Sequence, residues 1–459
     1  MITHAEIFGA LGINISKNIA FGQLGLANCS EANTLTFCDD KNYVSVINEN
    51  DNILGVFCTP EIGIQIENSK ELIAVDDPRW YFYTLYNYVA RKNYTKIPTV
   101  IDKSAKIHET AFVSDYNVII GNSILNKLVD TLKKENKKVV VIMDFTIKNL
   151  YENKIMGLLN QFNPLLISVL SGESSKSRST KQEVEDLLLV NKLGRDTIIV
   201  AIGGGVIGDL SGYVASTYNR GIDYIQIPTS LLAMVDSSIG GKTGINTKHG
   251  KNLIGSIWQP KEVLVDLDFL KTLPDEEFLN GLVEIIKISL ILDKNLFEFI
   301  EQNHKQIIER NSKSLMHLIT RSIELKKEIV QKDERENNLR QVLNFGHTVG
   351  HAIENQSNYS EKHGFCIAKG IFIETLVAEN LNVLDKKHRK RIIELFNKLK
   401  FDLSIKYDIN ELINIMKLDK KSKNNKIFCV LLVNIGKIKS NNSQYSFEID
   451  EKIMRNALK

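Results

Sequence analysis

Three segments of the chain carry uninterrupted apolar runs of strand length: Lys138–Met143, Leu165–Leu170 and Thr197–Ile202. Longer stretches of helical periodicity separate them, which predicts a parallel sheet covered on both faces. The first run stops at Asp144, and the third leads straight into Gly203-Gly204-Gly205. Beyond about residue 265 the strand-like runs fade. Residues 276–400 read as amphipathic helices, Leu315–Val330 and Ile367–Leu381 among them. Ahead of the sheet, residues 1–97 hold short apolar segments, Ile53–Cys58 and Ile62–Ile66, broken by Asn, Asp and Glu. Aromatics gather there at Trp80, Tyr81, Phe82, Tyr83, Tyr86 and Tyr88. This pattern predicts a small α+β module. Between them, Ile101, Ile107 and Val113 recur every six residues, with Ala105 and Ala111 at the same period. That is the hexapeptide pattern of a left-handed parallel β-helix, here too short to bury a solenoid core alone, so it reads as a stub or linker.

The expected architecture is therefore α/β in four parts. Residues 1–97 form the α+β module and 98–115 the β-helix stub. Residues 116–265 form a Rossmann-like parallel α/β nucleotide-binding domain, and 266–459 a mostly α-helical metal-binding domain. The 459 residues leave room for about three ordinary domains. A formal charge of only +3 argues against a nucleic-acid partner for the chain as a whole. The five cysteines, Cys29, Cys38, Cys58, Cys366 and Cys429, are odd in number and form no C-x-x-C pair. They make neither a disulfide framework nor a cysteine zinc site, and suggest a reducing compartment. No run of 18 apolar residues exists and the N-terminus lacks a signal-peptide pattern, so the expected location is the cytoplasm.

Candidate chemistry falls into three groups. Gly203 to Asp209 match G-x-G-x-x-G between a strand and a helix. Glycines there let backbone N–H groups approach a pyrophosphate, and the ribose carboxylate would be Asp144, upstream. The plain alternative is a tight turn. Asp236 to Lys242 and Gly250-Lys251-Asn252 place two lysines in glycine-rich contexts suited to phosphate or carboxylate. Glu284 and Lys287 share one helix face, as do His347 and His351. With His363 these supply carboxylate and imidazole ligands for a divalent metal. Spacing alone leaves open which histidines bind metal and which transfer protons.

Residues 116 to about 440 resemble 3-dehydroquinate synthase, one of the sugar phosphate cyclases. The resemblance rests on the strings 203–209, Pro228–Lys242, Gly250–Gly255, Gly281–Lys287, Leu343–Glu354 and Asp419-Lys420-Lys421, in this order. It implies zinc, or cobalt, held by Glu284, His347 and His363. It implies NAD held around Asp144, Glu173, Lys176, Gly203, Gly204, Gly205, Asp209, Thr229 and Ser230. A sugar phosphate substrate would meet Arg220, Asp236, Lys242, Lys251, Asn252, Lys287, Lys326, Arg340, Asn344, His351 and Lys420 or its neighbour Lys421. The implied reaction converts 3-deoxy-D-arabino-heptulosonate 7-phosphate to 3-dehydroquinate and phosphate. It proceeds by transient oxidation, phosphate elimination, re-reduction and intramolecular aldol closure, with His351 the candidate for proton transfer. A homodimer is the expected assembly. Ser230, Val283 and Phe365 depart from the usual Thr, Ala and Glu. The alternatives are a sister cyclase of the inosose or valiolone type and a metal-dependent polyol dehydrogenase of the same fold. Residues 1–115 resemble the N-terminal part of UDP-3-O-acylglucosamine N-acyltransferase, with Phe37 to Tyr43 similar to its uracil-stacking loop and Asp40 in place of Asn. This implies a uridine-nucleotide site, set against a docking or oligomerisation module.

Overall fold

A computed structural model describes the chain except residues 1, 2, 4–6, 8, 9, 12, 14–19, 28, 68, 93–110, 114, 115, 335, 337, 419–424 and 443. The chain divides into two compact units, Met1–Val100 and Ile101–Lys459.

The first unit contains a four-stranded sheet of β1 (Gln23–Leu24), β2 (Thr34–Cys38), β3 (Ile53–Cys58) and β4 (Glu71–Ala74), in that order. Every pairing is parallel. The expected α+β module is thus an α/β arrangement, because short helices at Val44–Asn48 and Pro60–Gly63 return the chain to the same end of the sheet. Phe37 packs at a tilt within the unit, its ring 5.0 Å from Phe82 and 5.9 Å from Tyr83, with the Arg79 guanidinium over it at 5.7 Å.

The second unit is built on seven strands: β5 (Ala111–Val113), β6 (Tyr116–Gly121), β7 (Lys138–Asp144), β8 (Leu165–Val169), β9 (Thr197–Gly203), β10 (Asp223–Pro228) and β13 (Glu262–Asp266). Their order is β5-β6-β13-β10-β9-β7-β8. All neighbours are parallel except β5, which runs antiparallel to β6. Most of the hexapeptide stretch lies outside the described residues, and Ala111–Val113 within it form this edge strand. A separate antiparallel hairpin, β11 (Lys242–Thr247) and β12 (Gly250–Ile257), projects between β10 and β13 in sequence.

Alternation along the central strands sorts their side chains to two faces. Val139, Val141, Met143, Ile198, Val200 and Ile202 join a core that continues into the helical half. Val140, Ile142, Ile199 and Ala201 pack beneath the helix Gly205–Thr217 on the other face. Five helices of the helical half matter below: α1 (Asp275–Leu292), α2 (Lys294–Ile308), α3 (Ser312–Lys332), α4 (His347–Gln356) and α5 (His363–Asn380). The expected segment Leu315–Val330 lies in α3, and Ile367–Leu381 lies in α5 except for Leu381, which caps it. α5 is buried on most of its surface, not on one stripe. No helix among the described residues is long and apolar enough to cross a membrane.

Candidate functional site

The glycine-rich turn sits at the end of β9, with Gly204 capping the helix Gly205–Thr217. Gly208 faces β10, where a Cβ would stand 2.4 Å from Gln226 Nε2, so any side chain there would have to displace the buried Gln226 amide. Thr229 N–H donates to Gly203 O at 3.0 Å, drawing the Thr229-Ser230 turn beside the glycines. Asp144, at the end of the adjacent β7, accepts from Thr146 N at 2.8 Å and Ser171 Oγ at 2.7 Å.

Lys176 is buried and donates to Asp209 Oδ2 and Asn252 Oδ1, both at 2.5 Å. Burial raises the Asp209 carboxyl above its ordinary value even with Lys176 against it. Asn246 donates to Glu173 Oε1 at 2.8 Å and accepts from Asn252 N at 3.0 Å. Candidate nucleotide residues and the β11–β12 hairpin thus share one hydrogen-bonded network. Asn246 carries no motif and was not expected in it.

Glu284 projects from α1 and is almost fully buried, in contact with Lys287 one turn on. Its Oε1 has no hydrogen-bond partner. That oxygen lies 3.7 Å from His347 Nε2 and 3.5 Å from His363 Nε2. Tetrahedral zinc with bonds of 2.0–2.1 Å sets its donors about 3.3 Å apart, so an orphaned buried oxygen and two imidazole nitrogens fit a metal ion. His347 Nδ1 is 3.0 Å from Phe345 O, and His363 Nδ1 is 3.3 Å from Glu354 Oε2. In the neutral imidazoles that bind a metal, a proton on each Nδ1 leaves both Nε2 lone pairs on the Glu284 side. The His351 ring lies 5.1 Å from that of His347 and 5.9 Å from that of His363. His351, Glu354 and His363 form a second potential ligand group, which shares His363 with the first.

Burial pushes the Glu284 carboxyl up, but Lys287 and His363 together outweigh it and hold it low. Burial lowers His363, yet the carboxylates of Glu284 and Glu354 outweigh it and raise the imidazole to about 9. Glu354 is pushed up by burial and pulled further down, to about 2, by His363 and Lys251.

A small cavity of about 10 Å³ lies beside this group, lined by Asp236, Glu284, Lys287, Lys326 and Leu343 among others. Lys326 on α3 donates to Asp236 Oδ1 at 2.6 Å. Burial favours a neutral Asp236, but Lys326 and Lys287 overcome it and keep the carboxyl well below the ordinary range. Burial lowers Lys326 in turn. Glu336 joins two expected substrate residues: it pairs with Lys242 and accepts from Asn344 Nδ2 at 2.8 Å. Arg340 is buried, with Nη1 donating to Glu334 O at 2.6 Å. Arg220 is exposed on the turn after the helix Gly205–Thr217, with φ +66°, and forms no ion pair with these side chains. Lys420 and Lys421 lie outside the described residues. A larger open cleft beside Glu379, Asp385, His388 and Asn434 has no metal-ligating cluster among the described residues.

The family model "3-dehydroquinate synthase N-terminal" matches residues 166–280, and "3-dehydroquinate synthase C-terminal" matches 281–422. The chain belongs to the 3-dehydroquinate synthase family. The 3-dehydroquinate synthase of Thermodesulfovibrio yellowstonii is 40% identical over 350 residues, 75% of this chain and 96% of the relative. That of Dictyoglomus thermophilum is 41% identical over 70% of this chain and 90% of its own length. None of these matches supports the acyltransferase-like reading of residues 1–115. Among solved structures, a 2-deoxy-scyllo-inosose synthase with carbaglucose-6-phosphate, NAD+ and Co2+ superposes with a TM-score of 0.71 at 24% identity. It covers 77% of this chain and 99% of its own. The 2-epi-5-epi-valiolone synthase of Streptomyces hygroscopicus, with NAD+ and Zn2+, gives 0.68 at 23%, covering 79% and 98%. These structures share the parallel sheet and helical domain of the family member described above.

Proposed function

We propose that this chain is a 3-dehydroquinate synthase, a carbocycle-forming lyase that releases phosphate from 3-deoxy-D-arabino-heptulosonate 7-phosphate. One observation carries the reading: at 38–41% identity, its relatives are 3-dehydroquinate synthases matched over at least 90% of their length. The shikimate route to aromatic amino acids follows from that activity.

Glu284, His347 and His363 would hold a divalent metal, which when bound polarises a substrate oxygen. The turn at Gly203, Gly204 and Gly205, with Asp144, Glu173, Lys176, Asp209, Thr229 and Ser230, would hold NAD, which supplies reversible hydride acceptance. The chain's own groups then have distinct tasks. Lys242, Lys251, Asn252, Lys287, Lys326, Arg340 and Asn344 bind and orient the phosphate and carboxylate of the substrate, with Lys420 assigned there by motif. Asp236, paired with Lys326, holds that side chain at the cavity. His351, beside both metal-ligand histidines, moves a proton to or from the substrate. Burial of Glu284 and Lys287 keeps bulk water from the reacting end.

The test is phosphate release from the heptulosonate phosphate by purified protein with zinc and trace NAD, followed by identification of the product. Dehydroquinate formed in large excess over NAD, without net NADH, is the expected result. NADH rising in step with turnover would assign a polyol dehydrogenase instead.

A further inference from the structure

Glu354 stands one turn beyond His351 on α4, with its side chain 8% exposed. Its two oxygens face different parts of the site. Oε2 lies 3.3 Å from Nδ1 of His363, on α5. Oε1 accepts from Lys251 Nζ, on β12, at 2.7 Å. Lys251 also lies over the Tyr359 ring, 4.3 Å from its centre, so the ammonium is held from two sides.

The two candidate metal-ligand histidines are therefore oriented by different acceptors. His347 Nδ1 faces a neutral backbone carbonyl, that of Phe345. His363 Nδ1 faces a carboxylate. A neutral imidazole has a single N–H, and a carboxylate on that side fixes the tautomer, orients the ring and makes the far nitrogen more basic. The far nitrogen is the one facing Glu284 Oε1 at 3.5 Å. We propose that Glu354 is a positioning residue that joins His363 to Lys251, so that the metal centre and the anion-binding hairpin share one carboxylate. This rests on the metal-dependent reading above. It adds that a change at the hairpin is felt at the metal ligand, and the reverse, with no contact between Lys251 and the metal.

Three proteins test the link: wild type, Glu354→Gln and Lys251→Met. Zinc affinity is measured without substrate, by competition with a chromophoric chelator. Wild-type protein that binds no zinc overturns the metal-dependent reading itself. With zinc bound by wild type, Glu354→Gln is expected to weaken affinity about 10- to 100-fold, the usual effect of losing such a partner. Equal affinity in wild type and Glu354→Gln overturns the proposal. At saturating zinc, each substitution should raise KM for the heptulosonate phosphate about tenfold, more than it lowers kcat. The double variant should be no worse in KM than the worse single one, because both remove the same pair. KM effects that multiply overturn the link to Lys251. Wild-type protein supplies a test that needs no variant to fold. Nitrogen spectra of zinc-loaded, histidine-labelled protein should show His363 bound through Nε2 and protonated on Nδ1; metal on Nδ1 overturns the proposal.

Discussion

Glu374 accepts a hydrogen bond from the backbone N–H of Gly346 at 2.8 Å, immediately before His347. Glu374 lies three turns along α5 from His363, on the same face of that helix. It is fully buried and also accepts from Thr348 N at 3.2 Å and Val349 N at 3.4 Å. The first N–H groups of a helix have no partner within it, and they favour a negative charge. One carboxylate on the helix of His363 thus satisfies the start of the helix of His347. Glu374→Ala should leave these amides unpaired and cost about 2–4 kcal/mol, while Glu374→Gln keeps one acceptor oxygen and costs less. Denaturant unfolding gives the stabilities and chelator competition the zinc affinity, which should fall with them. An alanine variant that matches wild type in both would remove Glu374 from the support of the site.

The same two helices meet through glycine. A Cβ at Gly370 would stand 1.9 Å from Gly346 O, a backbone atom that no rotamer change can move. Gly346 has φ +78°, which a side chain would strain. Gly370→Ala must push α4 off α5 and separate His347 from His363. We expect it to lose at least about 2 kcal/mol of stability, in the range of overpacked cores, together with tight zinc binding. Gly157, inside the helix Phe145–Leu159, is the control: nothing lies within 4 Å of its Cβ. Gly157→Ala should be neutral or stabilising by up to about 1 kcal/mol. Thermal melts and zinc stoichiometry of both variants decide it; a Gly370→Ala protein as stable as wild type would contradict the packing argument.

What the sequence discloses of this site depends on where the chemistry resides. Glu284, His347, His351 and His363 are legible as a group because few residue types bind divalent metal, but spacing leaves open which histidines are ligands, and only the family resemblance singles out Glu284, His347 and His363. The turn after β9 is legible because glycine is required where a helix crowds its strand. Glu374 is not, because its partners are backbone N–H groups that leave no side-chain pattern. Glu336 and Asn246 are missed for a related reason: each acts by bridging residues far apart in sequence. The strands Lys138–Asp144, Leu165–Val169 and Thr197–Gly203 stand out as long apolar runs, but β6, β10 and β13 need the assembled sheet to be recognised. Their partners are non-local, and so is the parallel pairing of the first unit.

Asp293 gives a pH dependence separate from the metal site. It caps α2 by accepting from Asn295 N at 2.9 Å and Leu296 N at 3.1 Å, and it pairs with Arg321 Nε on α3 at 2.6 Å. Burial pushes its carboxyl up, but Arg321 and these N–H groups outweigh burial and lower it below the ordinary value. A depressed folded pKa means the stabilisation is present above the unfolded value, near 3.9, and is lost as pH falls through the folded value. Asparagine caps a helix about as well, so Asp293→Asn isolates the charge. The variant should be about 1 kcal/mol less stable at pH 7, and the two proteins should converge as pH falls through the lowered Asp293 value. A difference that persists undiminished at low pH would assign the effect to packing instead.

The edge strand β5 decides where the catalytic unit can be cut. Val113 pairs with Tyr116 and Ala111 with Val118, so Ala111–Val113 cover the outer edge of β6. The Tyr116 hydroxyl accepts from Gly240 N at 3.2 Å, and a Cβ on Gly240 would touch Arg340 Nη2 at 2.7 Å, so β6 supports the turn beside an expected substrate residue. The Thermodesulfovibrio relative is matched over 96% of its length by 75% of this chain, which leaves no counterpart there for most of the first unit. A chain beginning at Ile101 should therefore fold and retain cyclase turnover. One beginning at Tyr116 loses β5 and exposes a strand edge, which invites association between chains. Its melting temperature should fall by roughly 2–4 °C for each kcal/mol lost. Phosphate-release assays, thermal melts and light scattering on the two truncated proteins test this. Equal melting temperatures would show that β5 adds no stability. A well-folded Ile101 chain without turnover would make residues 1–100 part of the catalytic unit.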